Sequence, residues 1–259
     1  MRRGYFLRPW PQEPTVDWST FDAVCVPLEC YRDAKHWIAD LPEHLEIYVH
    51  IPACYIGIGY GGEPYNTLRD NCRLAQTDGK PVEMFNAHLV NMGLDGVQVA
   101  RIIADFFGVP HPRVTGLFLD CVWDKIGWTS ADNIHDDDWA EGMRLFVTAL
   151  RFRMGRNGWR GLKLIGNGWT TMLNHLDGLC YESWPNIMGS SAQGTWHEAM
   201  YGKYGVGNTH MEEYHFIPPG TGYPGEGIDR EDRIKTAAFA ALVEAHVGVD
   251  TLIWQNKEE

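Results

Sequence analysis

Short apolar runs and helical periods alternate along the chain. Strand-like runs occupy Phe21 to Leu28, Leu45 to Pro52, Val82 to Asn86, Gly116 to Val122, Leu162 to Asn167, Asp177 to Glu182, Thr209 to Phe216 and Asp250 to Gln255. They are mostly continuous and rich in β-branched or aromatic residues, the composition of strands buried on both faces. Between them, Val99, Ile102, Ile103, Phe106 and Phe107 recur at the spacing of one buried helical face, with Asp95 as the expected N-cap. Trp139, Met143, Phe146, Val147, Leu150 and Met154 mark a longer helix. Ile234, Ala238, Ala241, Leu242 and Ala245 mark a third, beginning near Asp229. Weaker helical signals cover Tyr31 to Ala39, Thr67 to Gln76 and Gln193 to Tyr204. Strands alternating with helices imply a parallel sheet, and eight such strands are enough to close a barrel. The expected fold is α/β, a (β/α)8 TIM barrel formed by residues 1–259 as a single domain. The length of 259 residues fits the roughly 250 typical of that fold.

Two of these runs deliver a carboxylate at their C-terminal ends. Asp120 closes Leu117-Phe118-Leu119, and Glu182 closes Leu179-Cys180-Tyr181. In a parallel barrel such ends converge on one mouth, where active sites form. A single acid at a strand end also reads as a helix cap or a solvated loop carboxylate, though less well than as a site residue. Glu is a poor N-cap, however, and the pair says more than either member. Two carboxylates at one mouth are the minimum equipment for hydrolysing a glycosidic bond. Apolar neighbours of Glu182, with Trp184 beyond, would raise its pKa and suit it as the acid, leaving Asp120 ionised as the nucleophile of a retaining reaction.

Several polar and aromatic residues are candidate sugar contacts. Asn86 and Asn167 end their runs, and Glu213 lies in the seventh. Asn167 sits between Gly166 and Gly168, so a turn is an equally good reading of it. Trp123, Trp169, Trp184 and Trp254 follow or end strand runs and offer flat apolar faces with polar edges. Of the 11 tryptophans, many are expected to pack helices against the barrel. The Pro- and Gly-rich stretch Ile217 to Gly227 follows the seventh run and is expected to wall the site.

Charge narrows the partners. With 22 basic and 34 acidic residues the net charge is -12, which disfavours nucleic acid and anionic membrane as partners. No run approaches the roughly 20 apolar residues of a membrane span. The first residues lack the apolar segment of a secretory signal, so the expected setting is cytoplasmic or phage-encoded. The 6 cysteines form no CxxC pair and are expected to stay reduced. Asp136, Asp137 and Asp138 precede a helix and read as capping acids rather than a metal cluster. There is no His-x-His or H-E-x-x-H, so no metal is expected, and no cofactor motif is present. Gly57 to Gly62 lacks both G-x-G-x-x-G and a Walker lysine. No G-x-S-x-G elbow supports a serine hydrolase.

Val-Thr-Gly-Leu-Phe-Leu-Asp120, Leu-Ile-Gly-Asn167-Gly and Leu-Asp177-Gly-Leu-Cys-Tyr-Glu182-Ser together resemble the barrel glycosidases of glycoside hydrolase family 114, the endo-α-1,4-polygalactosaminidase-like proteins. The resemblance spans roughly Val114 to Ser183. It implies Asp120 and Glu182 as the catalytic pair and an α-linked galactosamine-type polysaccharide as substrate. The chain departs from that pattern three residues beyond Asp120, where Trp123 stands in place of a further acid. The competing expectations are a non-catalytic carbohydrate-binding barrel in a phage or surface assembly, and a barrel lyase or isomerase. A lyase would need a Lys or His base at a strand end, and no strand end offers a clear one.

Overall fold

The computed structural model describes residues 2–6, 17–28, 31, 38–57, 63–84, 87–123, 126, 131–154, 159, 161–167, 175–182, 212–217 and 250–255, of which 2–6, 57, 84, 167, 178–182, 212–217 and 250–255 are described by their backbone. Eight parallel strands run in chain order. They are β1 (Arg2–Phe6), β2 (Ala23–Pro27), β3 (Glu46–Pro52), β4 (Val114–Asp120), β5 (Lys163–Asn167), β6 (Gly178–Glu182), β7 (Glu212–Ile217) and β8 (Asp250–Gln255). Each pairs with its neighbours in sequence order, and β1 pairs with β8 as well as β2, so the sheet closes on itself.

All the expected runs except Val82 to Asn86 supply strands of this sheet. That run belongs to an excursion between β3 and β4. There Glu83–Met84 pairs antiparallel with Ala87–Leu89, which pairs with Tyr55–Gly57. Beside it, Gln76–Thr77 and Lys80–Pro81 form a hairpin over Asp78 (φ 51) and Gly79 (φ 73). Positive φ at both turn positions is what a two-residue hairpin turn requires, and Asp-Gly supplies it. The remaining barrel strand is Arg2–Phe6, whose Arg-Arg-Gly opening hides the apolar pattern by which strands are recognised.

Residue parity sorts the strands into two buried faces. Val24, Val26, Ile47, Val49, Ile51, Leu117, Leu119 and Leu164 join the large core formed with the surrounding helices. Ala23, Cys25, Tyr48, Phe118 and Ile165 are equally buried but stand outside that core, on the inner face of the barrel. Gly116 is part of the inner packing. A Cβ there would lie 3.0 Å from Tyr48 Cε1 and 2.5 Å from the Lys163 carbonyl, so only glycine leaves room for the Tyr48 ring. At the N-terminal end of the barrel the Tyr48 hydroxyl donates to Glu46 Oε2 at 2.8 Å, and Lys163 Nζ reaches Glu46 Oε1 at 3.4 Å.

Three α-helices are described over their length: α1 (Tyr65–Asn71), α2 (Met92–Phe107) and α3 (Asp136–Met154). The expected faces of α2 and α3 are buried, including Val99, Ile103 and Phe107 in one and Trp139, Phe146 and Leu150 in the other. The N-cap of α2 is Asn91, whose side chain accepts from the Leu94 amide, rather than Asp95. Asp95 lies in the first turn and binds the Arg73 amide (2.6 Å) and guanidinium (2.9 Å), tying down the chain after α1. Asp136, Asp137 and Asp138 do occupy the first turn of α3, with Arg151 and Arg153 in its last, complementing the helix dipole at both ends. Asp136 also accepts from the Ile126 amide at 2.8 Å.

Asp177 of the Asp-Gly run before β6 has a structural task. Its Oδ2 accepts the Leu164 amide at 2.7 Å and the Arg151 guanidinium, while its own amide donates to the Leu164 carbonyl at 2.8 Å. One carboxylate thus joins β5, the entry to β6 and α3. Asp177→Ala is expected to lower stability by about 1–3 kcal/mol, the cost of leaving these donors without an acceptor. Asp177→Asn, which keeps one oxygen for Leu164, is expected to lose less. Urea denaturation of the variants measures both; equal, near-zero losses would show that the clamp contributes nothing.

Candidate active site

Asp120, Asn167 and Glu182 end β4, β5 and β6, three consecutive parallel strands. Their backbones therefore lie at the same, C-terminal end of the sheet. Trp254 is level with Glu182, because Glu182 registers with Phe216 and Phe216 with Trp254. Glu213 lies lower. It registers with Leu179 and Thr251, near the start of β7 and away from the mouth. Trp169, Trp184 and Asn86 lie outside the described residues, as does the expected wall Ile217 to Gly227 beyond Ile217 itself, which ends β7, and the expected helices near Asp229 and Gln193. The described part of the run before Asn86, Glu83–Met84, supplies no barrel strand but pairs antiparallel within the excursion.

Asp120 shares the inward parity of Gly116 and Phe118 and is 29% exposed, open enough to meet a ligand. Its backbone is anchored from β3: the Ala53 amide donates to the Asp120 carbonyl at 3.0 Å, and Cys54 Sγ–H donates to the Cys121 carbonyl at 3.6 Å. Cys121 itself adopts φ +64, uncommon for a residue with a side chain. The Trp123 amide donates back to the Cys121 carbonyl at 3.1 Å. The chain thus turns sharply just past the acid. Strain of this kind is concentrated at functional sites.

Sequence reasoning missed the side chain that meets Asp120. His50, on the neighbouring strand β3, places Nε2 3.2 Å from Asp120 Oδ2. Its ring lies 5.9 Å from that of Phe118, and the side chain is 17% exposed. His50 stands two residues before the end of β3, so it is not one of the strand-end residues among which a lyase base is expected. On the other side, β2 contributes Cys25. Burial pushes its thiol pKa well above the usual value, and the negative charge of Asp120 pushes it further. A thiol so held is protonated and unreactive at neutral pH, so it is inner packing rather than a nucleophile.

Trp123 is half-buried against the core and meets Tyr55 edge to face at 6.1 Å. Its carbonyl accepts Trp139 Nε1–H at 2.8 Å. Trp139 and Trp159 are fully buried and serve packing, the latter donating to the Gly108 carbonyl at 2.6 Å. The excursion after β3 is fastened to the loop after β4. Asp132 Oδ2 accepts the Asp78 amide at 2.7 Å, and Asn133 Oδ1 accepts the Gln76 amide at 2.8 Å. These two loops follow the strands that carry His50 and Asp120, so the wall beside the pair is a braced one. Among the described residues no group of three His, Cys, Asp or Glu side chains is placed to hold a metal ion. The described cysteines 25, 54, 72 and 121 are buried free thiols.

No protein-family model matches the chain, and no curated protein sequence matches it. Its fold does resemble solved structures. A GH18 chitinase from Pseudoalteromonas aurantia superimposes with a TM-score of 0.54 at 10% sequence identity, over 99% of this chain and 94% of that one. The cycloalternan-forming enzyme from Listeria monocytogenes, solved with a pentasaccharide substrate, gives 0.50 at 12% identity over 88% of this chain. The match spans 22% of that longer enzyme. At such identities the likeness is one of fold.

Proposed function

We propose that this chain is a single-domain (β/α)8 glycoside hydrolase that cleaves a polysaccharide with the carboxylate pair Asp120 and Glu182. The observation that carries the reading is the placement of both acids at the C-terminal ends of β4 and β6 in one closed parallel sheet. Fold likeness to a chitinase and to an enzyme bound to a pentasaccharide agrees with a carbohydrate ligand. The resemblance of the strand-end motifs to those of glycoside hydrolase family 114 supports an α-linked galactosamine-type polymer as the substrate. A chain of net charge -12 also suits a polymer bearing free amines.

In this reading Asp120 is ionised and attacks the anomeric carbon, while Glu182 protonates the departing glycosidic oxygen. The glycosyl–Asp120 ester is then hydrolysed by a water that Glu182 deprotonates, and configuration is retained. Asn167 and Trp254, level with the acids, and Trp123, Trp169 and Trp184 in the following loops would line the sugar path.

The test is incubation with a panel of amino-sugar polymers, following new reducing ends and the first-formed anomer by NMR. Cleavage of an α-1,4-linked galactosamine polymer with retention is expected. Tight binding without new reducing ends would point instead to a carbohydrate-binding barrel, and release of an unsaturated product to a lyase that uses His50 as its base.

A further inference from the structure

We propose that His50 is a positioning residue for Asp120, its Nε2–H helping to hold the carboxylate in the orientation the reaction uses. The inference rests on the glycosidase reading of the same mouth. An ionised carboxylate can only accept hydrogen bonds, so the 3.2 Å contact requires the proton on Nε2. His50 is the deeper of the two side chains, 17% exposed against 29% for Asp120, so the acid stands between the imidazole and the open mouth. That order gives His50 access to the carboxylate rather than to the reacting sugar.

The contact also completes a pattern. Strand β3 and the residues just after it already fix the Asp120 carbonyl through the Ala53 amide, and Cys54 fixes the carbonyl of the next residue. Those backbone bonds do not set the carboxylate's own torsion, which is broad for a terminal sp³–sp² bond. A donor on the same strand restricts that freedom. A nucleophile must approach the anomeric carbon along one line, so fixing the torsion in advance lowers the entropic part of the barrier. Phe118 packs beside the imidazole and limits its movement in turn.

The experiment compares His50→Leu, His50→Gln and Asp120→Asn on an α-1,4-linked galactosamine polymer. His50→Leu should lower kcat roughly 10–100-fold, the scale of losing a hydrogen bond to a charged group or its supporting partner. Its KM should change by less than about threefold, since the contact acts on the reacting group rather than on binding. A Gln amide can donate from nearly the same place as Nε2 but cannot carry a proton through the reaction. His50→Gln should therefore recover most of the activity. A His50→Gln enzyme as inactive as His50→Leu would overturn positioning in favour of proton transfer.

A second arm uses the free protein and needs no substrate. The imidazole Nε2–H resonance identified by its loss in His50→Gln should exchange slowly in the wild type and move strongly in Asp120→Asn. An unmoved signal overturns the pairing. Normal cleavage by His50→Leu alongside an inactive Asp120→Asn overturns the positioning role alone. Normal cleavage by Asp120→Asn takes down the glycosidase assignment of Asp120, and the positioning role with it.

Discussion

Asp120→Asn and Glu182→Gln are each expected to lower kcat on a cleavable polymer by at least about 100-fold, the scale of a lost catalytic group. Both substitutions keep side-chain size and remove only the ionisable function. The amide introduced by Asp120→Asn retains an oxygen to accept from His50, so the anchoring seen around β3 and β4 survives and far-UV circular dichroism should not change. The two losses should differ in kind. On the proposed mechanism, removing the Asp120 charge leaves nothing to attack the anomeric carbon, and every substrate suffers. Without the Glu182 proton, substrates with a good leaving group such as a nitrophenolate should suffer less in the first step, because that oxygen needs no protonation. Near-normal turnover by either variant removes that residue from the mechanism. Equal sensitivity of Glu182→Gln to good and poor leaving groups would remove it from the acid role.

How far the site could be read from the sequence depended on how local each signal was. Asp120 and Glu182 stand out because each ends a continuous apolar run, a pattern complete within seven residues. The same property made the runs from Val114 to Gln255 legible as strands. His50 sits in an equally legible run, Leu45 to Pro52, but its partner is 70 residues away. The adjacency of β3 and β4 is a fact of strand order, and the chain between them hid it. Taking Val82 to Asn86 as a barrel strand inserts a strand between His50 and Asp120. Recognising Asp78-Gly79 as a hairpin turn removes it and brings the two together. Strand β1 failed for the opposite reason: Arg2 and Arg3 open it, so it carries little apolar signal, and its membership rests on pairing with β2 and β8. From sequence, Asp95 and Asn91, four residues earlier, are both N-cap residue types, and only the turn geometry decides for Asn91.

Gly142→Ala is expected to destabilise the protein by at least about 3 kcal/mol, the upper range for overpacking a well-filled interface. Its sign is the informative part. In a solvent-exposed helix, replacing Gly by Ala stabilises by roughly 1 kcal/mol, because Ala loses less backbone freedom. Gly142 lies inside α3 at the crossing with α2, where the helices meet backbone to backbone. A Cβ on Gly142 would stand 2.0 Å from the Met92 carbonyl oxygen and 2.6 Å from the Gly93 Cα. One on Gly96 would stand 2.1 Å from the Gly142 carbonyl oxygen. No side chain can swing away to relieve such contacts, so the helices must separate. Both helices flank β4, and separating them loosens the strand that carries Asp120. For a chain of this length a loss of about 3 kcal/mol lowers the thermal midpoint by roughly 6–12 °C. Gly79→Ala is the control. Its φ of +73 disfavours a side chain, yet nothing lies within 4 Å of the new Cβ, so about 1 kcal/mol of backbone strain is the whole expected cost. Calorimetry on the two variants separates the causes. A Gly142→Ala protein as stable as the wild type, or no worse than Gly79→Ala, would mean that α2 and α3 do not meet at these glycines.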